Sequence, residues 1–569
     1  MGARSTNSRV ASREIGGACS RHMHIQKLHP DDDAIVALRN LRAGETASLD
    51  GHSWTLRGDV SAKHKFAARD FAEGEFVKMY GTIAGKTVCA IAAGELLSRE
   101  NVAHATASPV ACATDFHWQP PDVTRWRGRT FDGFRRADGR CGTANHWLVV
   151  PLVFCENRNI EVMREALTKG LGYAVTTPYS DFVSSLATAW RTGGTLDEAK
   201  LEKCAAASRV FPHVDGVKFL QHNLGCGGTR QDARALCGLL AGYITHPNVA
   251  GATVLSLGCQ NAETEMLREE IAKRSNLKSS GEAKPLLIFE QQKSASERDL
   301  LERALRGTFR GIAQANELRR EPVPLSELVL GLKCGGSDGF SGISANPALG
   351  HCSDVLAALG GTGVLCEFPE LCGAEQWLCD RCETPALAEK FLDLMQRYAE
   401  RARAVGSGFD MNPSPGNIRD GLITDAMKSL GAARKGGSAP VLDVVDYPEP
   451  VTKRGGLTLL CTPGNDVEAT TALTGSGCNV IVFTTGLGTP TGNPICPVIK
   501  MSTNTELATR MADIIDFDAG PIVTGAKTIA GVGAELLDHI IEVASGRATP
   551  AAVRLGQDDF IPWKRGVSL

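Results

Sequence analysis

The stretch Gly331–Pro347, GLKCGGSDGFSGISANP, constrains this chain more than any other. It overlaps a short apolar run, Leu328, Val329, Leu330 and Leu332, that suits a buried strand. Two adjacent glycines, Gly335 and Gly336, follow Cys334. Ser337 and Asp338 come next, and an Asn346-Pro347 turn closes the run. Each glycine costs conformational entropy on folding, so few core strands or helices tolerate this density. A loop that brings backbone N–H groups up to an anion does tolerate it. Open α/β folds place ligands where such a loop leaves a buried strand. The competing reading is a tight turn with a passive cysteine.

The rest of the chain repeats the strand–loop–helix theme. The apolar strand Trp147–Phe154 leads to a helix near Ile160–Leu171, a strand Gly216–Leu220 and a helix Gln231–Tyr243. A strand Thr253–Leu257, a helix near Glu263–Lys273, a strand Pro285–Phe289 and a helix Ser296–Leu318 follow. That order predicts a parallel sheet with covering helices. Beyond a proline-bearing joint, Arg320–Pro324, helices are expected at Cys352–Leu359 and Ala386–Ala404. Strands are expected at Val364–Glu367, Thr458–Cys461 and Val480–Thr484.

A length of 569 residues predicts two to four domains. The fold class is α/β, with a small β-rich domain at 23–105, a linker at 106–130, and α/β domains at 131–319 and 322–569. In the first domain, Ala43-Gly44-Glu45, Glu73-Gly74-Glu75 and Ala93-Gly94-Glu95 punctuate short strands, as in a compact barrel or β-clip. Residues 1–22 are rich in Arg, Ser, Gly and Ala, with Glu14 their only acid. They read as a disordered or mis-called extension rather than as a transit peptide.

A net charge of −3 offers no basic field for nucleic acid or membrane, and 6% aromatics offer little for base stacking. No run of eighteen apolar residues occurs, so no membrane partner is expected. The 18 scattered cysteines read as reduced thiols of a cytoplasmic protein, some of them metal ligands.

Three cysteines, Cys226, Cys259 and Cys334, each sit in a loop just after a predicted strand. If those loops converge, three thiolates can hold iron, as one ion or as a cluster with an open position. None has CxxC spacing, and three small residues lining tight loops is the bland alternative. The one true CxxC, Cys379 to Cys382, lacks a second pair. His222, four residues before Cys226, can ligate metal or act as a base. Asp338 is its best polar companion, with a helix cap as the alternative role. His64, between Lys63 and Lys65, is either exposed or a group lent to the site. Gly335–Gly339 formally fits a nucleophile elbow, but the glycines and Pro347 after it argue against the helix that an elbow needs.

Colinear motifs then give a resemblance. Lys27-Leu28-His29-Pro30, His64-Lys65-Phe66-Ala67, Arg136-Ala137-Asp138-Gly139, His246-Pro247-Asn248 and the cysteine loops resemble the altronate and galactarate dehydratase family. So do Ala345-Asn346-Pro347, Asn412–Asn417 and Phe517-Asp518-Ala519-Gly520. The resemblance implies an amino-terminal SAF-type β-clip domain and a hydro-lyase of sugar-acid catabolism, expected to turn D-altronate into 2-dehydro-3-deoxy-D-gluconate and water. The alternatives are another hydroxy acid, galactarate or a sulfonated one, or a non-catalytic sugar-acid-binding homologue. Ferrous iron is the implied cofactor, with Mn2+ or an iron–sulfur cluster as alternatives. His64, His222 and Asp338 are the expected catalytic groups, and Cys226, Cys259 and Cys334 the expected metal ligands. Gly335, Gly336, Ser337, Ser341, Asn346 and Asn417 are expected to bind substrate. A small-molecule sugar acid is the expected partner, and assembly into a homo-oligomer is compatible with the sequence. Ala144, Gln260, Ile418, Met427 and Leu487 stand where the family often carries charge.

Overall fold

The computed structural model describes residues 24–111, 116–174, 179–198, 200–201, 208–275 and 284–568. The expectation for residues 1–22 lies outside the described residues.

The amino-terminal domain is built on its glycine turns. Gly44, Gly74 and Gly94 adopt φ of +79°, +84° and +79°, and the next N–H in each case closes the turn onto Arg42, Ala72 or Ala92. These reversals place Ala34–Ala37 between Ile25–Gln26 and Lys65–Ala67 in an antiparallel sheet that Leu96–Leu97 completes. Val77, Met79, Ala84 and Leu97 share one apolar core with Leu330, Ile343 and Leu349. The domain is therefore packed onto the carboxy-terminal domain. The described part of 106–130, expected as a linker, is strapped down as well. Val110 N–H donates to Gln376 (2.8 Å), and the buried Trp126 donates Nε1–H to Asp538 (2.9 Å). Such single side-chain contacts leave no periodicity to read.

In the second domain β1 (His146–Pro151), β2 (Gly216–Phe219), β3 (Val249–Ser256) and β4 (Leu286–Glu290) form a parallel sheet in the order β2-β1-β3-β4. The carboxy-terminal sheet holds β5 (Val329–Cys334), β6 (Thr362–Leu365), β7 (Val441–Val445), β8 (Gly456–Leu460), β9 (Val480–Thr485), β10 (Val498–Ser502) and β11 (Phe517–Asp518). It is parallel throughout, in the order β7-β8-β6-β5-β9-β10-β11. The helices that matter below are α1 (Arg230–Thr245), α2 (Ala345–Ala358), α3 (Asp425–Ala433) and α4 (Asp466–Ser476). α1 and α4 join the two sheets so closely that a Cβ on Gly242 would lie 2.0 Å from the Gly475 carbonyl oxygen.

Two local expectations change. Asn346-Pro347 is not a closing turn but lies in the first turn of α2, where proline gives up no hydrogen bond. The proline joint is a strand, Glu321–Pro324, paired antiparallel with Thr130–Gly133.

Candidate active site

The carboxy-terminal sheet starts in its middle at β5, runs out to one side, then returns to β9 on the other side of β5. Parallel sheets open a crevice beyond the strand ends at such a reversal. Here β5 ends on Cys334 and the glycine loop. The loop after β9 packs against it: Gly486 and Leu487 N–H both donate to the Gly336 carbonyl at 3.0 Å. Gly336 has φ +58°, and a Cβ there would meet Thr489 Oγ1 at 2.8 Å, so only glycine fits.

Beneath this loop lies a buried ionic cluster. Lys435 Nζ stands 2.7 Å from Cys334 Sγ, and the thiol donates to Glu370 Oε2 (3.2 Å). Lys435 also reaches Glu367 Oε2 (3.1 Å), while Lys333 bonds the other Glu367 oxygen and Asp466 Oδ1 (2.8 Å). Lys428 Nζ, from α3, donates to Glu370 Oε1 (2.7 Å) and Asn412 Oδ1 (2.5 Å). Lys333, Cys334, Glu367 and Lys435 are each at most 1% exposed.

Burial pushes the Cys334 thiol up to about 12, helped by the charge of Glu370 and opposed by Lys435. Burial also raises Glu367, and Glu370 beside it adds to the effect. For Glu370 burial works the same way, but Lys428, Lys435 and Lys333 overcome it and hold its carboxyl well below the usual range. Burial pulls Lys333 down, but Glu367 with Asp466 overcome it and hold the group well above its ordinary value. Cys334, Glu367 and Glu370 present one sulfur and two oxygens within 4.8 Å of one another. That donor set suits a borderline divalent ion such as Fe2+, and its two carboxylates also suit the harder Mn2+. It does not suit an iron–sulfur cluster, which needs several thiolates.

The glycine loop keeps some of its expected roles and loses others. Gly335 N–H is spent on Thr484 O (3.1 Å). Among the described residues, Gly336 and Ser337 N–H and the Ser337 hydroxyl have no protein partner. Asp338 is fully buried, 3.1 Å from Lys63 Nζ, and accepts from Ser341 Oγ, Phe340 N and Thr503 Oγ1. Asn346 is bonded to Gly431 O and Thr484 Oγ1, and Asn417 to Ser337 O and Ser414. Asp338, Ser341, Asn346 and Asn417 therefore hold the loop's shape rather than face a ligand.

The amino-terminal domain closes the seam. Lys63 Nζ bridges Asp338 and Asp420 (3.1 and 3.2 Å), and Lys65 Nζ donates to Gly421 O (2.5 Å). Burial pushes Lys65 down to about 8 against the pull of Asp338. His64, between them, is half-buried with Nδ1 3.2 Å from Ala62 O, and its Nε2 has no protein partner among the described residues. The imidazole that donates from Nδ1 presents a bare Nε2.

Two expectations are corrected. His222 donates Nε2–H to Pro151 O (2.8 Å) and accepts Leu224 N–H at Nδ1 (3.2 Å), and burial pushes it down to about 4. Both nitrogens are used, so it neither ligates nor shuttles protons but pins the loop after β2 to the end of β1. Cys226, Cys259 and Cys334 do not converge. Cys334 ends β5 of the carboxy-terminal sheet, whereas the other two follow β2 and β3 of the second sheet. Their neighbour is Cys155, whose thiol is raised by burial and then by Cys226 and Cys259. Sequence order could not tell which sheet each loop joins.

Comparison with known proteins decides the family. Residues 23–105 match the altronate/galactarate dehydratase SAF domain, and residues 133–316 the D-galactarate dehydratase/altronate hydrolase second domain. Residues 325–568 match the carboxy-terminal domain of D-galactarate/altronate dehydratase. The chain belongs to the altronate/galactarate dehydratase family. It is 35% identical to an altronate dehydratase of Escherichia coli K12, over 93% of this chain and 96% of that protein. It is also 35% identical to an altronate dehydratase of Bacillus subtilis 168, over 92% and 95%, and 32% identical to an L-threo-forming galactarate dehydratase of E. coli K12, over 92% of each. Within this dehydratase family the loop motifs were legible, but Lys333, Glu367, Glu370, Lys428 and Lys435 went unread. For Lys333 and Glu367 the one signal is a lone charge at the end of an apolar run, as in Leu330-Gly331-Leu332-Lys333; Glu370, Lys428 and Lys435 lie in helical segments with no such signal.

Proposed function

We propose that this chain is a sugar-acid hydro-lyase that converts D-altronate to 2-dehydro-3-deoxy-D-gluconate and water. The observation that carries the reading is the buried thiol, carboxylate and lysine cluster at the reversal of the parallel sheet, in a chain of the altronate/galactarate dehydratase family. The C2 proton of an aldonate is weakly acidic, so its removal needs fixed positive charge for the enediolate that results. Lys428 and Lys435 supply that charge. The free N–H groups of Gly336 and Ser337 suit the substrate carboxylate. His64 presents Nε2 from the docked domain for proton transfer, at C2 or at the departing 3-hydroxyl. The enol then becomes the ketone unaided. Ferrous iron held by Cys334, Glu367 and Glu370 would supply Lewis-acid stabilisation of a substrate oxygen.

The positions that depart from the family favour one variation. Leu487 lies against Gly336 and presents apolar surface to the loop, and the half-buried Ile418 follows Asn417, which holds Ser337. A hydroxy acid with fewer charges than galactarate fits such a rim better. The test is a panel of aldonates, aldarates and sulfonated hydroxy acids, incubated anaerobically with ferrous iron and read by 2-keto acid formation. Altronate should have the highest kcat/KM. No 2-keto acid from any of the panel would refute the proposal.

A further inference from the structure

We infer that His104, Cys372 and Asp425 form a separate metal site, for a borderline divalent ion of the zinc class, where the amino-terminal domain passes into its strap. One imidazole nitrogen, one thiol sulfur and one carboxylate oxygen lie within 4.8 Å of one another. His104 Nδ1 contacts Asp425 Oδ1 directly, with the aspartate side chain 4% exposed. Nitrogen, sulfur and carboxylate from three chain segments are the donors that zinc takes, and three protein ligands leave a fourth position. The three residues line a cavity of about 670 Å3 together with Pro109, Glu375, Arg403 and Asp410.

The charge around the site points to a cation. Among the described residues, no ion pair joins Glu375 or Asp410 to a lysine or arginine, and the partner of Asp425 is the His104 imidazole. The Asp425 hydrogen bond raises the His104 pKa, with Glu375 and Asp410 adding to it. Burial, then Glu375 and Asp425, keep the Cys372 thiol protonated. A bound dication reverses both preferences, since it takes neutral imidazole and thiolate. A hydrogen-bonded His–Asp pair beside a cysteine is the alternative, and it would leave the acidic cavity without a role.

The site stands apart from the Cys334 cluster but shares two elements with it. Cys372 lies just past Glu370, and Asp425 opens α3, which carries Lys428. A filled site would fix both segments and tie them to the end of the amino-terminal domain.

Full-length protein stripped by a chelator should be titrated with Zn2+, and with Co2+ to report thiolate ligation by its charge-transfer band. Wild-type protein is expected to bind one equivalent more than Cys372→Ser or His104→Ala, and the double variant to lose no more than either single. Cys334→Ser should retain that equivalent. Metal-free melting temperatures of the Cys372 and His104 variants should stay near wild type, while Zn2+ raises those of wild type and Cys334→Ser by more than theirs. Unchanged stoichiometry in both single variants would overturn the inference. So would a loss in Cys372→Ser that His104→Ala does not share, because that marks a lone thiol.

Discussion

Lys428→Met tests the buried cluster most directly. The ammonium lies 2.7 Å from Glu370 Oε1, and that lysine is 7% exposed. At an effective dielectric of about 20, unit charges at this spacing attract by about 6 kcal/mol. Desolvation of both groups offsets part of this, and breaking one partner of such a pair costs about 3–5 kcal/mol. In a domain of this size that lowers the melting temperature by on the order of 10 °C. The loss arises because Glu370 is left charged in a dry site beside Cys334. Removing that charge as well, in Glu370→Gln with Lys428→Met, should recover most of the stability, though not turnover.

The pH dependence has a definite sign. In wild type the Glu370 carboxyl is held below its unfolded value, so its contribution is present above about pH 4.5 and is lost as pH falls through the depressed value. In Lys428→Met the carboxyl rises above its unfolded value. The deficit is then full at neutral pH and shrinks as the solution is acidified toward pH 5. Calorimetry of metal-free protein between pH 5 and 8 reads the variant's trend, against a wild-type contribution from this carboxyl that stays flat over that range. A penalty below about 1 kcal/mol, or one that does not change with pH, would refute the reasoning.

Cys334→Ser should lose bound iron and turnover with little change in melting temperature, whereas Cys226→Ser and Cys259→Ser should keep the iron. Iron loss in all three would restore the single-site reading. His222→Ala strands Pro151 O and Leu224 N–H, so it should cost about 1–3 kcal/mol, with turnover per folded molecule unchanged. A kcat drop at full folding would return His222 to the catalytic list. Lys63→Met should loosen the amino-terminal domain, seen as faster proteolysis before residue 106 and a lower kcat. His64→Gln should lower kcat without the proteolysis. Equal proteolysis in both variants would mean that His64 only helps the domain to dock.

The fold was legible where one physical rule governs a segment. Apolar runs such as Trp147–Val150 read as buried parallel strands, and the x-Gly-Glu triplets read as turns because glycine alone enters positive φ cheaply. The site was legible only where its residues sit together in sequence. Cys334 to Asp338 could be read, but Glu367, Glu370 and Lys435 reach Cys334 through strand order and helix placement, over sequence separations of up to 101. His222 misled because a histidine before a glycine-flanked cysteine looks the same whether its nitrogens meet a metal or two backbone groups. Asn346-Pro347 misled because proline suits a turn and a helix's first turn equally well.

The segment from Asn412 to Gly421 explains why a third domain has to be docked for the site to exist. Its first residue binds Lys428 at the buried cluster, Asn417 holds the Ser337 carbonyl of the glycine loop, and Asp420 and Gly421 receive Lys63 and Lys65. Without the amino-terminal domain, Asp338 would lose the Lys63 ammonium and become an unpaired charge at a fully buried position. The loop would then relax away from the geometry that leaves the Gly336 and Ser337 N–H groups free. His64 lies between Lys63 and Lys65, so in the proposed reaction the same contacts that shape the loop would also hold the proton-transfer group. In the proposed reaction, the docked domain therefore serves both halves of the chemistry.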